Sequence, residues 1–411
     1  MIPTKNRALL HAAMPCFCFL LFTLIFAASC PAGGVKKPIL QKIDSLIANG
    51  GYMVGPEDHP LAAKNAHTFF VPASTLKIVT SLGALHILGE DFHFRTEFYL
   101  AGNSDLYIKG YGDPFLTSEE IAVILQTLQQ QGVGTINNIF LDADAFQLEH
   151  QADGRSETLN PYDAANSALA ANFNTINFRK GTDGTISSAE AQTPTLPIML
   201  RLGKNLPAGT HRINLTNDHQ DILIHTGELF RGLQKRLGIK GRGVITGKTV
   251  PGEAKLILTH TSSQPLEQVI AGLLRFSNNF IANQLFLSCG AKEKGYPATW
   301  QKSRDVFRNF LASFGLNEQQ IVMVEGSGLS RNDLITPATM VKILQAFRPY
   351  AHLLHMDKGR LIKSGTLTGV YCYAGYFPRG EDKIPFVVML NQPKNLRDQV
   401  VNLLEKLSNT P

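Results

Sequence analysis

Five cysteines in 411 residues are too few for a disulfide framework, and three of them (Cys16, Cys18 and Cys30) fall within the first thirty positions. The two that remain, Cys289 and Cys372, sit in the apolar contexts LFLSCG and VYCYAG, where small core residues are expected. An oxidising compartment leaves a bond between them open. Metal-ligand spacing is missing too: His352 and His355 stand one helical turn apart, but no acidic or cysteine ligands accompany them, so they read as a helix surface. Basic runs are also absent. The formal charge is +6, two units of which belong to Lys5 and Arg7, and charged residues make up 18% of the chain. That balance suits an anionic polymer or surface and falls short of a nucleic-acid signature. With 44% apolar residues and no repeat or low-complexity tract, the chain has material for one large or two modest domains.

What is present begins with an address. Lys5 and Arg7 precede an apolar stretch from Ala12 to Phe26, closed by the small residues Ala27, Ala28 and Ser29 before Cys30. This pattern is a secretory signal, too short and wrongly flanked for a permanent span. Small residues ending on a cysteine resemble a bacterial lipobox, which makes 1–29 the signal and Cys30 the lipidated first residue; ordinary cleavage nearby leaves Cys30 incidental. Either way the protein is exported, to the periplasm or cell envelope; on the lipobox reading a lipid anchor at Cys30 is its membrane contact.

Downstream, Ile39, Ile43, Leu46 and Ile47 have helical spacing, ended by Gly50 and Gly51. A strand-like HTFFVPAS then delivers a second, almost wholly apolar helix. From about Phe92 the texture changes to short alternating runs punctuated by Gly, Asn and Asp, with two helices among them. Helical pattern returns after Pro265, and the chain ends in two or three strands and a helix spacing Leu396, Val400, Leu403, Leu404 and Leu407 along one face. The simplest organisation is discontinuous: one domain over 30–92 and 253–411, split by a β-rich insert over 93–252.

The second helix carries the first chemical signal. Ser74 and Lys77, at i and i+3, share a face. Serine needs a base, and no G-x-S-x-G elbow suggests a histidine-served one. Burial among Ile78, Val79, Leu82 and Leu85 would lower the lysine pKa and make neutral amine available. Alone, S-x-x-K reads equally as a capping serine and a snorkelling lysine. Its company decides the matter: Ser277-Asn278-Asn279 opens a later helix as S-x-N, and Lys363-Ser364-Gly365 lies on a late strand as the one K-[ST]-G. Order and context match the S-x-x-K, S-D-N, K-T-G set. A second S-x-N, Ser330-Arg331-Asn332, stands in a loop, so the helical Ser277 is preferred.

On these motifs, together with LYIKGYGDP, EGSGLSRNDLITPATM and GTLTGVYCYAGYF, the chain resembles the low-molecular-mass class C penicillin-binding proteins, the serine D-alanyl-D-alanine carboxypeptidase/endopeptidases, from about residue 40 onward. The resemblance implies an α/β penicillin-recognising, transpeptidase-like fold, a five-stranded antiparallel sheet flanked by helices and interrupted after the S-x-x-K helix. It implies Ser74 as the acylated nucleophile, Lys77 as its base, Ser277 as proton relay and Asn279 as holder of the substrate amide. Lys363 would attract the terminal carboxylate, Ser364 and Thr366 would donate hydroxyls beside Gly365, and the N–H groups of Ser74 and Thr366 would form the oxyanion hole. Peptidoglycan stem peptides and β-lactams are the implied partners, with no cofactor, metal or nucleic acid.

Three positions depart from the family pattern: Ser364 for threonine, Asn278 for aspartate and Glu325 for aspartate. The insert also reads as short, with a reduced or missing second inserted domain. Two weaker signals resolve blandly. RGVITGKT lacks the first P-loop glycine, arginine standing at 242, and Asp142 and Asp144 more often end a strand than meet a cationic substrate. A β-lactamase or esterase on the same scaffold, or a catalytically silent wall-binding lipoprotein, are the competing readings.

Overall fold

The computed structural model describes residues 33–215 and 219–410; the signal at 1–29 and Cys30 lie outside them. The strand Asp382–Leu390 shows how the catalytic half is built. Val387 and Met389 enter one core, while Phe386, Val388 and Leu390 enter another. Successive side chains point to opposite faces, so a strand apolar throughout must be covered on both. On one face lie the two terminal helices, Gly33–Leu46 and Arg397–Ser408, the latter burying Val400, Leu404 and Leu407. On the other lie the helix Pro337–Phe347 and the turn Ala73–Leu76. Behind that turn the helix Lys77–Leu88 is enclosed by Leu266–Phe276 and Asn279–Lys294.

The sheet is antiparallel, in the order His355–Asp357, Arg360–Leu367, Val370–Arg379, Asp382–Leu390, Gly50–Val54, Ala62–Lys64. It has six strands where the resemblance implied five, and its two edge strands are only three residues long. His355 belongs to one of those edges and His352 to a preceding 3₁₀ turn, so the pair shares no helix face. HTFFVPAS forms only a single bridge, Phe70 to Ile335.

The inserted sheet runs Lys255–Pro265, His93–Ala101, Asp105–Gly110, Ile139–Asp142, Ile245–Gly247. Its last two pairings are parallel, and Ser118–Gln130 supplies the crossover between the first of them. Lys255–Pro265 pairs with His93–Ala101, and the helix Leu266–Phe276 follows it directly. A three-stranded sheet of Ile186–Ser188, Thr175–Lys180 and Gly209–Asn214 completes the insert. Cys289 and Cys372 are both free and buried, as core residues. Among the described residues no helix is long and apolar enough to cross a membrane.

Candidate active site

Ser74 lies in the 3₁₀ turn ahead of its helix, half-buried, and directly follows Ala73, whose φ of 47° is left-handed. A non-glycine residue there signals strain, which the surrounding packing must hold. Two close approaches hold it. A Cβ on Gly365 would stand 2.6 Å from the Pro72 carbonyl oxygen and 3.0 Å from the Ser74 nitrogen; one on Gly328, at φ 75°, would stand 2.0 Å from the Ala73 carbonyl oxygen. Both neighbours of the serine turn therefore require glycine, and the third letter of K-[ST]-G is set by contact with the nucleophile.

Lys77, the first residue of the helix proper, is fully buried. Its Nζ lies 2.7 Å from Asn279 Oδ1, 2.6 Å from the Ser327 carbonyl oxygen and 2.9 Å from Ser74 Oγ. Two of these partners can only accept. A neutral amine has two N–H groups for them and one lone pair left, which faces the serine hydroxyl. Burial, and then the Lys363 cation, push the Lys77 pKa well below its ordinary value, against the opposing pull of Glu325 and Asp333. Geometry and charge thus favour a lysine that accepts the serine proton.

Ser277 ends the helix Leu266–Phe276 in a left-handed conformation (φ 54°) and Asn279 opens the next one, a hinge that turns both toward the site. Asn279 Nδ2 donates to the Tyr162 carbonyl, so its amide is held at both ends. Asn278, between them, caps the second helix by accepting from the Ile281 N–H at 3.1 Å. Aspartate would serve equally, so this departure costs nothing chemically. Ser277 Oγ accepts from Lys363 Nζ at 2.8 Å, and Lys363 also donates to the Ser364 carbonyl. Lys363 is buried; that burial and the nearby Arg397 cation push its pKa down to about 7. Ser364 and Thr366 are exposed along the same strand. Ser74, Lys77 and Asn279 are thereby joined by side-chain hydrogen bonds, as are Ser277 and Lys363, and the Gly365 approach brings the strand of Lys363 and Thr366 against Ser74.

Two groups escaped the sequence reading. Arg397 donates from Nη1 to the Gly365 carbonyl at 2.9 Å and to Thr366 Oγ1 at 2.7 Å, with its guanidinium 4.4 Å above the Tyr373 ring. With Lys363 it makes this side of the strand cationic, bounding a cavity of ≈170 Å³ shared with Ser277 and Ser364. Its only sequence signal was position in the first turn of an amphipathic helix. Glu325 was noted only as a departure. It is fully buried and accepts from the N–H groups of Ser327 and Leu329, both at 2.8 Å, and from Asn283 Nδ2 at 2.7 Å. These bonds fix the loop whose Ser327 carbonyl meets Lys77. Asp333 beside it accepts from the Val324 N–H, and burial together with Glu325 drives its carboxyl well above the usual range.

The remaining candidates have other work. Ser330 and Asn332 both donate to Asp153, bracing a loop. Asp142 accepts from the N–H groups of Asp144 and Val250, and ends its strand as the bland reading expected.

An antiparallel sheet flanked by helices, with a serine–lysine pair where helix and sheet meet, defines the penicillin-recognising class of serine peptidases. The chain belongs to the D-Ala-D-Ala carboxypeptidase 3 (S13) family, whose model matches residues 37–199 and 189–356. It is 25% identical to the D-alanyl-D-alanine carboxypeptidase of an Actinomadura species, over 78% of this chain and 73% of that one. It is 26% identical to D-alanyl-D-alanine carboxypeptidase DacB of Haemophilus influenzae, over 80% and 82% of the two. The crystal structure of penicillin-binding protein 4 (dacB) from Haemophilus influenzae shares the fold, with a TM-score of 0.74 at 20% identity over 90% of this chain and 98% of that one. That protein has also been solved in complex with a β-lactam, at a TM-score of 0.67. The implied fold and the serine D-Ala-D-Ala carboxypeptidase class both stand.

Proposed function

We propose that Ser74 is the nucleophile of this carboxypeptidase and acts on peptidoglycan stem peptides ending in D-Ala-D-Ala. The observation that carries the reading is the Lys77 amine, with two acceptors occupied and its third direction on Ser74 Oγ. Neutral Lys77 takes the hydroxyl proton as Ser74 attacks the penultimate carbonyl. Oxyanion charge collects between the N–H groups of Ser74 and Thr366, a placement supported by the close approach of Gly365 to the Ser74 nitrogen. Lys363, aided by Arg397, receives the terminal carboxylate, and Ser277 passes a proton to the departing amine. D-Ala leaves, and water then frees Ser74. A cross-link, whose leaving amine belongs to a neighbouring stem, is the endopeptidase version of the same step. β-Lactams acylate the same oxygen. Residues 33–92 and 266–410 form the catalytic part around an insert at 93–265, and Cys30 tethers the enzyme to the envelope membrane.

Fluorescent penicillin tests this directly. The wild type should carry a persistent label that sediments with membranes, together with D-Ala release from a pentapeptide. Ser74→Ala should carry none, and Cys30→Ser should leave the labelled protein soluble. Label that persists in Ser74→Ala overturns the nucleophile, whereas label lost within seconds points to a β-lactamase.

The pH profile follows from the two lysines. Acylation requires Lys77 without its proton and Lys363 with one. For a substrate with a free terminal carboxylate, kcat/KM should rise as Lys77 deprotonates and fall again with a midpoint near 7, where Lys363 loses its charge. An ester substrate lacking that carboxylate should lose the alkaline limb. A carboxylate substrate whose kcat/KM climbs steadily through pH 9 contradicts the role of Lys363.

A further inference from the structure

The loop that orients Lys77 buries two carboxyl groups against each other. Glu325 and Asp333 are both fully buried, and their side chains lie within hydrogen-bond reach. Donors converge on only one of them. Glu325 Oε1 accepts from the Leu329 N–H at 2.8 Å and the Ser330 N–H at 3.4 Å. Its Oε2 accepts from the Ser327 N–H at 2.8 Å and from Asn283 Nδ2 at 2.7 Å. Asp333 Oδ1 accepts from the Val324 N–H at 2.7 Å, but among the described residues no N–H or O–H is directed at its buried Oδ2. A carboxylate with four donors is well satisfied; a second anion beside it, out of water and short of donors, is costly. A proton on Asp333 Oδ2 removes both costs, because it cancels the second charge and turns an orphaned acceptor into a donor toward Glu325.

We propose that Glu325 and Asp333 work as a carboxylate–carboxylic acid pair holding one proton, carried on Asp333 Oδ2, and that this pair positions Lys77 and presents it with one negative charge rather than two. The loop is tied to both helices beside the lysine: Thr80 Oγ1 donates to the Gly326 carbonyl at 2.6 Å, and the Gly326 N–H donates to Asn283 Oδ1 at 2.7 Å. The pair and the Ser327 carbonyl on Lys77 Nζ therefore belong to one braced unit. Glu325 is the charged group acting on Asp333, and Lys363, Glu325 and Asp333 are those acting on Lys77. One anion stabilises the ammonium that forms when Lys77 takes the serine proton. Two would hold Lys77 protonated before substrate arrives and leave no base. During acylation the serine proton moves to Lys77 Nζ, and the proton of the pair stays in place. Asp333 is thus a positioning residue, acting through Glu325 and Lys77, and the proposal rests on Lys77 as the base.

Protein labelled with carbon-13 at the aspartate side-chain carboxyls reads the proton directly by NMR. At pH 8 Asp113, which burial lifts to about 6, has ionised, and one aspartate resonance should remain at the protonated position. It should vanish in Asp333→Asn. A wild-type spectrum with every aspartate ionised at pH 8 overturns the pair, whatever the variants do. The pH dependence of Ser74 acylation by fluorescent penicillin gives a second readout. Asparagine keeps an acceptor for the Val324 N–H and offers Glu325 an N–H in place of the acid proton. Asp333→Asn should therefore acylate at close to the wild-type rate with its acid limb unmoved, since one uncharged group has replaced another. Asp333→Ala loses both contacts and should acylate about tenfold more slowly, the scale of one hydrogen bond to a charged group. An acid limb displaced to lower pH in Asp333→Asn reveals a second charge in the wild type and overturns the proposal, as does an asparagine variant no faster than the alanine one. Failure of the underlying reading shows separately: a Lys77→Met protein still acylated at near the wild-type rate removes the base and leaves the aspartate resonance where it was.

Discussion

Lys77→Met should cut the rate of Ser74 acylation by fluorescent penicillin by a factor of about 10²–10⁴, the range that a positioned general base contributes. Unfolding should be little affected. Methionine is close to lysine in volume and removes the cost of keeping an amine fully out of water. Against that gain, Asn279 Oδ1 and the Ser327 carbonyl each lose a donor. The two effects oppose each other, so a severe catalytic loss should accompany a near-native denaturation midpoint. Lys77→Arg should not rescue the rate, because a guanidinium stays protonated and cannot accept the serine proton. Time courses of labelling decide it: a Lys77→Met protein acylated within tenfold of the wild-type rate excludes Lys77 as the base.

Glu325→Ala should be the most destabilising single change at the site, by roughly 3–5 kcal/mol, the upper end for a buried group whose removal strands several donors. The fully buried side chain accepts from the N–H groups of Ser327 and Leu329 in its own loop and from Asn283 on the helix Asn279–Lys294. Denaturant titration should show a lower midpoint with an unchanged slope. Where the protein still folds, acylation should fall as well, since the same loop carries the Ser327 carbonyl that orients Lys77. Glu325→Gln separates the two roles. It keeps the length of the side chain but loses the charge that raises the Lys77 pKa, so the acid limb of the pH profile should move to lower pH. A Glu325→Ala protein with native stability and native acylation would remove Glu325 from the site.

The serine, the lysines and the asparagine were legible in the sequence because each chemical role demands one residue type within a short, fixed spacing. Ser74 and Lys77 must share a helix turn, and Lys363 must precede a glycine that can lie against Ser74. Arg397 and Glu325 obey no such spacing. Arg397 reaches Thr366 from a helix on the far side of the hairpin, and Glu325 meets Asn283 from another segment, so neither pairing leaves a local pattern. Strands after Phe92 were legible from alternation, but their pairing was not. Lys255–Pro265 reads as a strand wherever it docks, and only its partner, His93–Ala101, places it in the insert. The short edges Ala62–Lys64 and His355–Asp357 are strands by pairing alone.

The pairing of Gly50–Val54 with Asp382–Leu390 also fixes when this enzyme can become active. The central sheet is closed by its first long strand meeting its last, and Ser74 precedes Lys363 by well over half of the chain. No emerging portion that stops short of Leu390 can complete the sheet, so an incomplete chain carries Ser74 without the finished sheet behind it. Such distant closure folds slowly, because a long loop must be ordered before its contacts form. A hydrolase directed at the wall around it therefore stays inert until the C-terminal strand and helix have arrived.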